Sequence, residues 1–237
     1  LGHMGKAGPR VGAVFGCVPQ CGFSVAAANL YSGGVITLGT LMAVFLSTSD
    51  EAILILFSHP GSGSVILKLL AGKLLIGIAA GYLLDFLLRG KKEHKHIEDM
   101  CRGCGCSDDS GIVKPAVRHT IQLTIYVFVF TAALNLVLGL VGMDALTTFL
   151  GKDTWFQPFL TALLGLIPNC ASSILITELY LAGGLSLASA MGGLCAGAGV
   201  GLAVLFRENH PAKENVGIVA LLDLISAGAG LLLEVIL

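Results

Sequence analysis

The sequence predicts an all-α integral membrane protein, and its composition and charge pattern lead to this fold class. Of the 237 residues, 55% are hydrophobic and 12% are charged, whereas an ordinary soluble domain carries about a quarter charged residues. The long apolar runs are apolar on every face, which excludes the alternating strands of an outer-membrane barrel. The net charge of −1 leaves no basic excess for nucleic acid, so no nucleic-acid partner is expected.

Five uninterrupted apolar runs have the length of a membrane-spanning helix, about 17–25 residues. Two further apolar runs each contain a Pro in the middle, which removes a backbone hydrogen bond and breaks a helix. Broken helices at membrane depth are typical of a transporter's binding site. The five spans are Val35–Phe57, Ser64–Leu88, Ala116–Val141, Leu185–Phe206 and Asn215–Leu237, and the two Pro-broken runs are Val11–Tyr31 and Pro158–Leu181.

The sequence also matches itself at an offset of 149 residues, which aligns Pro19 with Pro168 and Cys21 with Cys170. Shared Pro and Cys in one register indicate an internal repeat. Each copy is predicted to hold three spans and one Pro-broken re-entrant hairpin. The first span of copy 1 is absent from this chain, so we expect an equivalent helix upstream of Leu1.

The positions of the basic residues favour hairpins over Pro-broken spans. With hairpins, most of the 14 Lys and Arg residues fall on one side, as the positive-inside rule expects for cytoplasmic loops. Three spans are an odd number, so the two copies must be inverted, and their hairpin tips approach the midplane from opposite faces. The predicted organisation is membrane repeat 1 at 1–88, a cytoplasmic loop at 89–115 and membrane repeat 2 at 116–237.

The two hairpin tips form the first candidate site for substrate. The second half-helix of each tip begins near a Cys, so its unpaired N–H groups face the centre, and amides and thiols add further ligands. The alternative is a tight Pro turn in which Cys is only a small apolar residue. The tip residues are Pro19, Gln20 and Cys21 in copy 1 and Pro168, Asn169 and Cys170 in copy 2.

Charged residues inside apolar runs are costly and mark ion or proton paths. Ser49, Asp50 and Glu51 interrupt the run Val35–Phe57, and we expect them to bind a cation or to carry coupling protons. The alternative is a helix cap near the membrane interface. Lys73 and Asp223 lie at similar depth in the last helix of each copy, which predicts an ion pair between the copies.

The central loop is rich in His and Cys at short spacings, which suits thiophilic or transition-metal ions. A solvated linker is the alternative. No further cofactor is expected, and the absence of a Walker motif or a nucleophile elbow argues against a pump or an enzyme. The predicted metal-binding residues of the loop are His94, His96, Cys101, Cys104 and Cys106.

Five sequence blocks are distinctive, namely Gly16–Ser24, Phe45–Ala52, Gly165–Ser173, Gly197–Leu202 and Leu205–Arg207. Together they resemble the ten-transmembrane heavy-metal (arsenic) exporter family, whose members are also labelled manganese transporters. The resemblance extends over essentially the whole chain, including a His/Cys-rich central loop. The family's ten segments agree with six spans plus two hairpins of two half-helices each, and this chain lacks the first helix.

The resemblance and the residues together predict a secondary transporter that exports heavy-metal or metalloid ions across the cytoplasmic (inner) membrane, as a multi-pass protein. The expected partners are the ion and the lipid bilayer. The sequence does not decide whether the chain forms a homo-oligomer. Soft ions would favour the thiols of the tips, and the harder Mn(II) would favour the carboxylates and amides. The alternatives are an exporter of a small organic or anionic solute and a metal-sensing membrane protein that uses the loop.

Overall fold

The computed structural model describes residues 4–48, 51–59, 61–88, 156–168, 170–209 and 212–236, together with single positions between 117 and 136. Within these residues the chain is helical and contains no strand, which confirms the all-α class. The helices are α1 (Met4–Gly16), α2 (Gly22–Ser32), α3 (Leu38–Ser47), α4 (Glu51–Ser58), α5 (Gly63–Leu87), α6 (Gln157–Gly165), α7 (Cys170–Leu181), α8 (Leu187–Ala196), α9 (Val200–Glu208) and α10 (Ala212–Ile236).

Four segments of the described chain are long and apolar enough to cross a membrane, which supports the predicted multi-pass membrane protein. Leu38–Ser58 and Leu187–Glu208 are 80% and 94% buried, whereas Gly63–Leu87 and Ala212–Val235 are only 28% and 33% buried. The first two segments therefore form the interior of the molecule, and the last two lie at its periphery. Of the predicted span Ala116–Val141, the described positions are helical, and the others lie outside the described residues.

Both interior spans are divided into two shorter helices, which the prediction of single spans at Val35–Phe57 and Leu185–Phe206 did not anticipate. The chain leaves α3 at Thr48, whose φ of −55° and ψ of 125° are not helical. It leaves α8 at Gly197, and α9 begins after Gly199. Gly199 has a φ of 54°, a conformation that side chains with a Cβ rarely adopt. The two predicted spans are thus pairs of half-helices, α3 with α4 and α8 with α9.

The two Pro-broken segments are also divided, as the positions of Pro19 and Pro168 predict. Helix α1 ends at Gly16 and α2 begins at Gly22, while α6 ends at Gly165 and α7 begins at Cys170. In the first of these breaks the backbone turns tightly, because the N–H of Gln20 donates to the carbonyl of Val18 at 2.7 Å. The described part of the chain therefore contains four helix breaks.

The helix bounds and caps of the chain correspond at the offset of 149 residues. Helices α3 and α8 coincide in both ends at this offset, and so do α5 and α10. Thr37 begins α3 by accepting a hydrogen bond from the N–H of Thr40, and Ser186 begins α8 by accepting from the N–H of Ser189. We refer to α1–α5 as the first half of the chain and to α6–α10 as the second half.

The packing of the helices follows the same correspondence. Helix α1 packs against α3 and α5, and α6 packs against α8 and α10. The halves meet where α2 packs against α9, where α4 packs against α7 and where α3 approaches α8. Small residues permit this closeness: a Cβ added to Gly201 would lie 2.8 Å from the Cβ of Ser24. Since small residues let backbones approach in membrane proteins, Gly201 and Ser24 bring α9 and α2 into close contact.

Candidate functional site

Lys73 lies at the centre of the molecule, where it connects the two broken interior spans. It projects from α5, is only 1% exposed, and its Nζ donates to the carbonyl of Thr48. The same Nζ donates to the carbonyl of Leu194 at 2.8 Å. Thr48 follows α3 in the first half, and Leu194 is in the last turn of α8 in the second half. We call Thr48, Lys73 and Leu194 the crossing site.

The crossing site suits a cation because two helix C-termini face it. The last carbonyls of a helix have no partner within that helix, and they carry the negative end of its dipole. Thr48 is the residue at which α3 stops, and the N–H of Ala198 turns away to the carbonyl of Ala196 rather than that of Leu194. The carbonyl of Leu194 is therefore available to Lys73, and the positive charge lies where both helices present negative ends.

Each Pro-containing break lies beside one of the breaks in the interior spans. A Cβ added to Gly16, the last residue of α1, would collide with the side chain of Ser47 at the end of α3. Likewise, a Cβ on Gly165 at the end of α6 would collide with the Gly193 carbonyl and lie 3.2 Å from the Cβ of Ala196, at the end of α8. The two Pro-containing breaks therefore lie against the ends of the interior helices α3 and α8.

The predicted tip residues differ in how the structure describes them. Pro19 and Gln20 are exposed, and Cys21 and Pro168 are half-buried. The carbonyl of Cys21 accepts a hydrogen bond from the Ser24 hydroxyl at 2.8 Å, which fixes the first turn of α2. Asn169 lies outside the described residues, and of Cys170 only the backbone is described, as the first residue of α7. Ligation by the tips stays a prediction.

The predicted carboxylates lie at the first interior break, next to the crossing site in sequence. Ser49 and Asp50 fall outside the described residues, and Glu51 is described only as the first residue of α4. An acidic residue in the first turn of a helix is favoured by the helix dipole, which fits the alternative of a helix cap as well as an ion path. Their role as ligands or proton carriers stays a prediction.

Lys73 and Asp223 are the two buried charged side chains among the described residues, as the sequence predicts for groups at membrane depth. Lys73 bonds to backbone carbonyls, whereas Oδ1 of Asp223 is buried without a hydrogen-bond partner. A direct pair between them is not among the contacts that the structure describes, and it stays a prediction. Ser226, one turn further along α10, also has a buried hydroxyl oxygen without a partner.

The predicted metal ligands of the central loop, His94, His96, Cys101, Cys104 and Cys106, lie outside the described residues. Elsewhere, the described part of the chain holds no group of three or more His, Cys, Asp or Glu side chains that could bind a metal ion.

Sequence reasoning identified Lys73 but missed its partners. Thr48 and Leu194 contribute backbone carbonyls, which residue type does not reveal. A signal existed for Thr48, because it precedes the polar residues that interrupt the run Val35–Phe57. Leu194 stands in an apolar run and carries no such signal, although the small residues from Ala196 to Gly199 mark the end of its helix. Ser226 was also missed, since a Ser in a membrane helix commonly bonds to its own backbone.

Apolar spans at the periphery and broken spans in the interior are typical of multi-pass membrane transporters. The comparison with protein families gives a match to the family described as "Putative, 10TM heavy-metal exporter", over residues 92–202. This is the family that the sequence blocks resemble, so the resemblance is confirmed over that range. It is an exporter family rather than an enzyme family. Neither the curated proteins nor the solved structures give a match.

Proposed function

We propose that this chain forms a secondary transporter that exports heavy-metal or metalloid ions across the cytoplasmic membrane. The observation that carries the proposal is the meeting of two broken interior helices at one buried charged residue, Lys73. Interrupted helices expose backbone groups at membrane depth only where they line a cavity or are buried in protein. The family match over residues 92–202, which includes the second Pro-containing break, supports heavy metals as the class of substrate.

The architecture that we propose is an inverted repeat, in which each half carries a re-entrant hairpin, α1 with α2 and α6 with α7. The equal helix bounds and the equivalent caps at Thr37 and Ser186 support a repeat. The placement of Gly16 and Gly165 against the ends of α3 and α8 supports tips that reach membrane depth. Alternating access would then arise from movement of one half against the other.

We place the substrate between the two tips, with Pro19, Gln20 and Cys21 on one side and the equivalent residues of the second tip on the other. Ser49, Asp50 and Glu51 add oxygen ligands at the adjacent break. Asp223 is proposed to exchange the coupling proton, and its support is Oδ1, which is buried without a partner. A neutral carboxyl is far cheaper than a charged one in such surroundings.

Growth on graded metal concentrations tests this function in cells that lack or overexpress the full-length protein, with intracellular metals measured. Overexpression is expected to raise resistance and to lower the content of at least one metal or metalloid. Cys21→Ser combined with Cys170→Ser is expected to abolish export of arsenite and thiophilic metals, because thiolates bind soft ions best. Cys17→Ser is the matched control, since this Cys occurs in only one copy. Unchanged metal content on overexpression would overturn the function, and full export by the double variant would overturn the thiol site.

A second candidate is the export of a small anionic solute, which the positive charge of the buried Lys73 favours. Thermal unfolding of the detergent-solubilised protein separates the two. The metal proposal expects the unfolding midpoint to rise with arsenite, Zn(II) or Mn(II), whereas the second candidate expects it to rise with small organic or inorganic anions alone. A ligand raises the midpoint only if it binds the folded protein more tightly than the unfolded chain.

A further inference from the structure

We propose that Asp223 and Ser226 of α10 form a binding site for a monovalent alkali cation, at the depth of the second interior break. Both side chains lie in the interior, with exposures of 9% and 0%. Oδ1 of the Asp and Oγ of the Ser are buried without a hydrogen-bond partner. Since buried polar atoms are nearly always bonded, two such atoms one turn apart on one helix point to a ligand.

The Ser226 hydroxyl differs from other buried hydroxyls in the helices of the second half. Those of Thr161 and Thr177 donate to the carbonyl four residues earlier, at 2.9 Å and 2.7 Å, which is a usual arrangement within a helix. The Oγ of Ser226 makes no such bond to its own helix. This oxygen therefore remains available to coordinate an ion.

The spacing of the two residues suits a single ion between them. Side chains three positions apart lie on the same face of a helix, with Cβ atoms about 5–6 Å apart. The two oxygens do not bond to each other. Na⁺ is close in size to Ca²⁺, whose oxygen ligands lie about 2.3–2.6 Å away, so one Na⁺ can contact both Asp223 and Ser226.

Contacts between α10 and α8 give the depth of the pair. A Cβ on Gly230 would lie 3.2 Å from the carbonyl of Ala188, and a Cβ on Gly192 would lie 3.2 Å from the carbonyl of Ser226. The contacts advance along α8 as they go back along α10, so the two helices are antiparallel. Asp223, one turn before Ser226, is therefore level with the end of α8. Coupling ions of transporters with discontinuous helices are coordinated at such helix ends.

The charge and the chemistry of the pair favour a monovalent hard cation. Asp223 supplies one negative charge and Ser226 supplies none, so an ion of charge +1 leaves the pair neutral. A net charge buried away from water is costly. Carboxylate and hydroxyl oxygens are hard ligands, whereas thiophilic metals prefer sulfur.

The site has a consequence for coupling, and this step alone rests on the proposed function. A cation and a proton compete for Asp223, because only the ionised carboxylate binds the cation. Sodium is then expected to exchange for the coupling proton. A lack of metal export would leave the binding test below unaffected, and a lack of sodium binding would leave the export test unaffected.

Binding is tested without transport, by thermal unfolding of the purified full chain in detergent with divalent ions chelated. The midpoint is measured in NaCl and in choline chloride at equal concentrations, since choline is too large for the site. NaCl at ten times the dissociation constant is expected to raise the midpoint by about 3 °C or more above that in choline chloride. Equal midpoints in the two salts at every concentration would overturn the proposal.

Asp223→Asn and Ser226→Ala are each expected to abolish this difference between the salts. In choline chloride, Ser226→Ala is expected to be at least as stable as the unchanged protein, because it removes a buried hydroxyl that has no partner. In NaCl this advantage is expected to fall by the full sodium response of the unchanged protein. A purely structural role would give the same stability difference in both salts, and that result would overturn the site.

Two matched controls are expected to keep the sodium response. Glu234→Gln neutralises an exposed acid on the same helix, and Thr177→Val removes a buried hydroxyl that is bonded to its own backbone. If Asp223→Asn does not accumulate, Ser226→Ala decides alone. A Ser226→Ala protein that responds to NaCl as the unchanged protein does would overturn the proposal.

Discussion

At the residue scale, the absence of a single methyl group decides how closely α6 approaches α8. A Cβ at Gly165 would collide with the carbonyl oxygen of Gly193, and the clash is with backbone rather than with a movable side chain. A similar restriction applies to Gly16 at the end of α1, which faces Ser47 and the carbonyl of Val44. These two glycines hold the Pro-containing breaks against the breaks of the interior spans.

Gly165→Ala is therefore expected to lower the stability by about 1–3 kcal/mol, the range for overpacking a tight interior. Thermal unfolding in detergent measures the change. Gly217→Ala is the matched control, because the same added methyl group on α10 meets no atom within 4 Å. In the control the substitution is expected to be neutral or to stabilise by up to about 1 kcal/mol, as Ala does in a helix. Equal midpoints for the two variants would contradict the close approach of α6 and α8.

At the scale of helices, the long peripheral helix of each half holds the start of an interior one. Asp85 near the end of α5 accepts hydrogen bonds from Thr37 Oγ1 at 3.0 Å and from the N–H of Gly39 at 3.1 Å. These contacts lie at the N-terminus of α3, where a carboxylate is favoured by the exposed N–H groups and the dipole. In the second half, Glu234 accepts one bond from Ser186 Oγ at 2.7 Å, in an exposed position.

Asp85→Ala is expected to destabilise the protein more than Glu234→Ala does. Losing a helix cap costs about 0.5–2 kcal/mol, and Asp85 accepts two half-buried bonds where Glu234 accepts one exposed bond. Thermal unfolding of the two variants, prepared in the same detergent, compares the losses. A larger loss for Glu234→Ala would show that the second half depends on its cap more than the first.

Length and hydropathy predict the membrane segments well, because burial in lipid demands about twenty apolar residues whatever the fold. The predicted Ser64–Leu88 and Asn215–Leu237 correspond to α5 and α10 within three residues at each end. The helix breaks at Pro19 and Pro168 could also be predicted from the sequence, since Pro lacks a backbone donor. The length of an apolar run and the position of a Pro depend only on residues close together in the chain, so both can be read from the sequence.

The breaks in the interior spans and the crossing site were harder to predict. Ser and Thr also occur inside continuous helices, where their hydroxyls bond to preceding carbonyls. Ser47 and Thr48 therefore do not by themselves predict a helix break. Gly199 could equally serve close packing of a continuous helix. The contact of Lys73 with Thr48 O and Leu194 O joins positions far apart in the chain through backbone atoms. Every residue has a backbone carbonyl, so no pattern of residue types identifies which carbonyls contact Lys73.

At the scale of the whole molecule, exposed helices with apolar outer faces surround buried helices. The peripheral helices α5 and α10 carry large exposed apolar side chains, including Leu75 at 67% and Leu224 at 63% exposure. Helices α3 and α8 are buried along almost their whole length. A soluble protein rarely exposes so much contiguous apolar surface, so we assign the faces of α5 and α10 to lipid.

This assignment predicts that a charged residue introduced at the middle of α5 is much more costly than one introduced near its end. Leu75 lies at the middle of Gly63–Leu87, and Phe86, 68% exposed, lies in its last turn. Leu75→Arg is expected to cost about 2.5–3.5 kcal/mol on the insertion scale for a charge at the membrane centre. Phe86→Arg should insert almost normally, because its guanidinium can reach the interface along its own stem. The fraction of protein integrated into membranes, measured by glycosylation of an acceptor site added beyond α5, compares the two variants. If Leu75→Arg integrates as efficiently as Phe86→Arg, then α5 does not face lipid at its centre, and the division into a lipid-facing periphery and a buried interior fails.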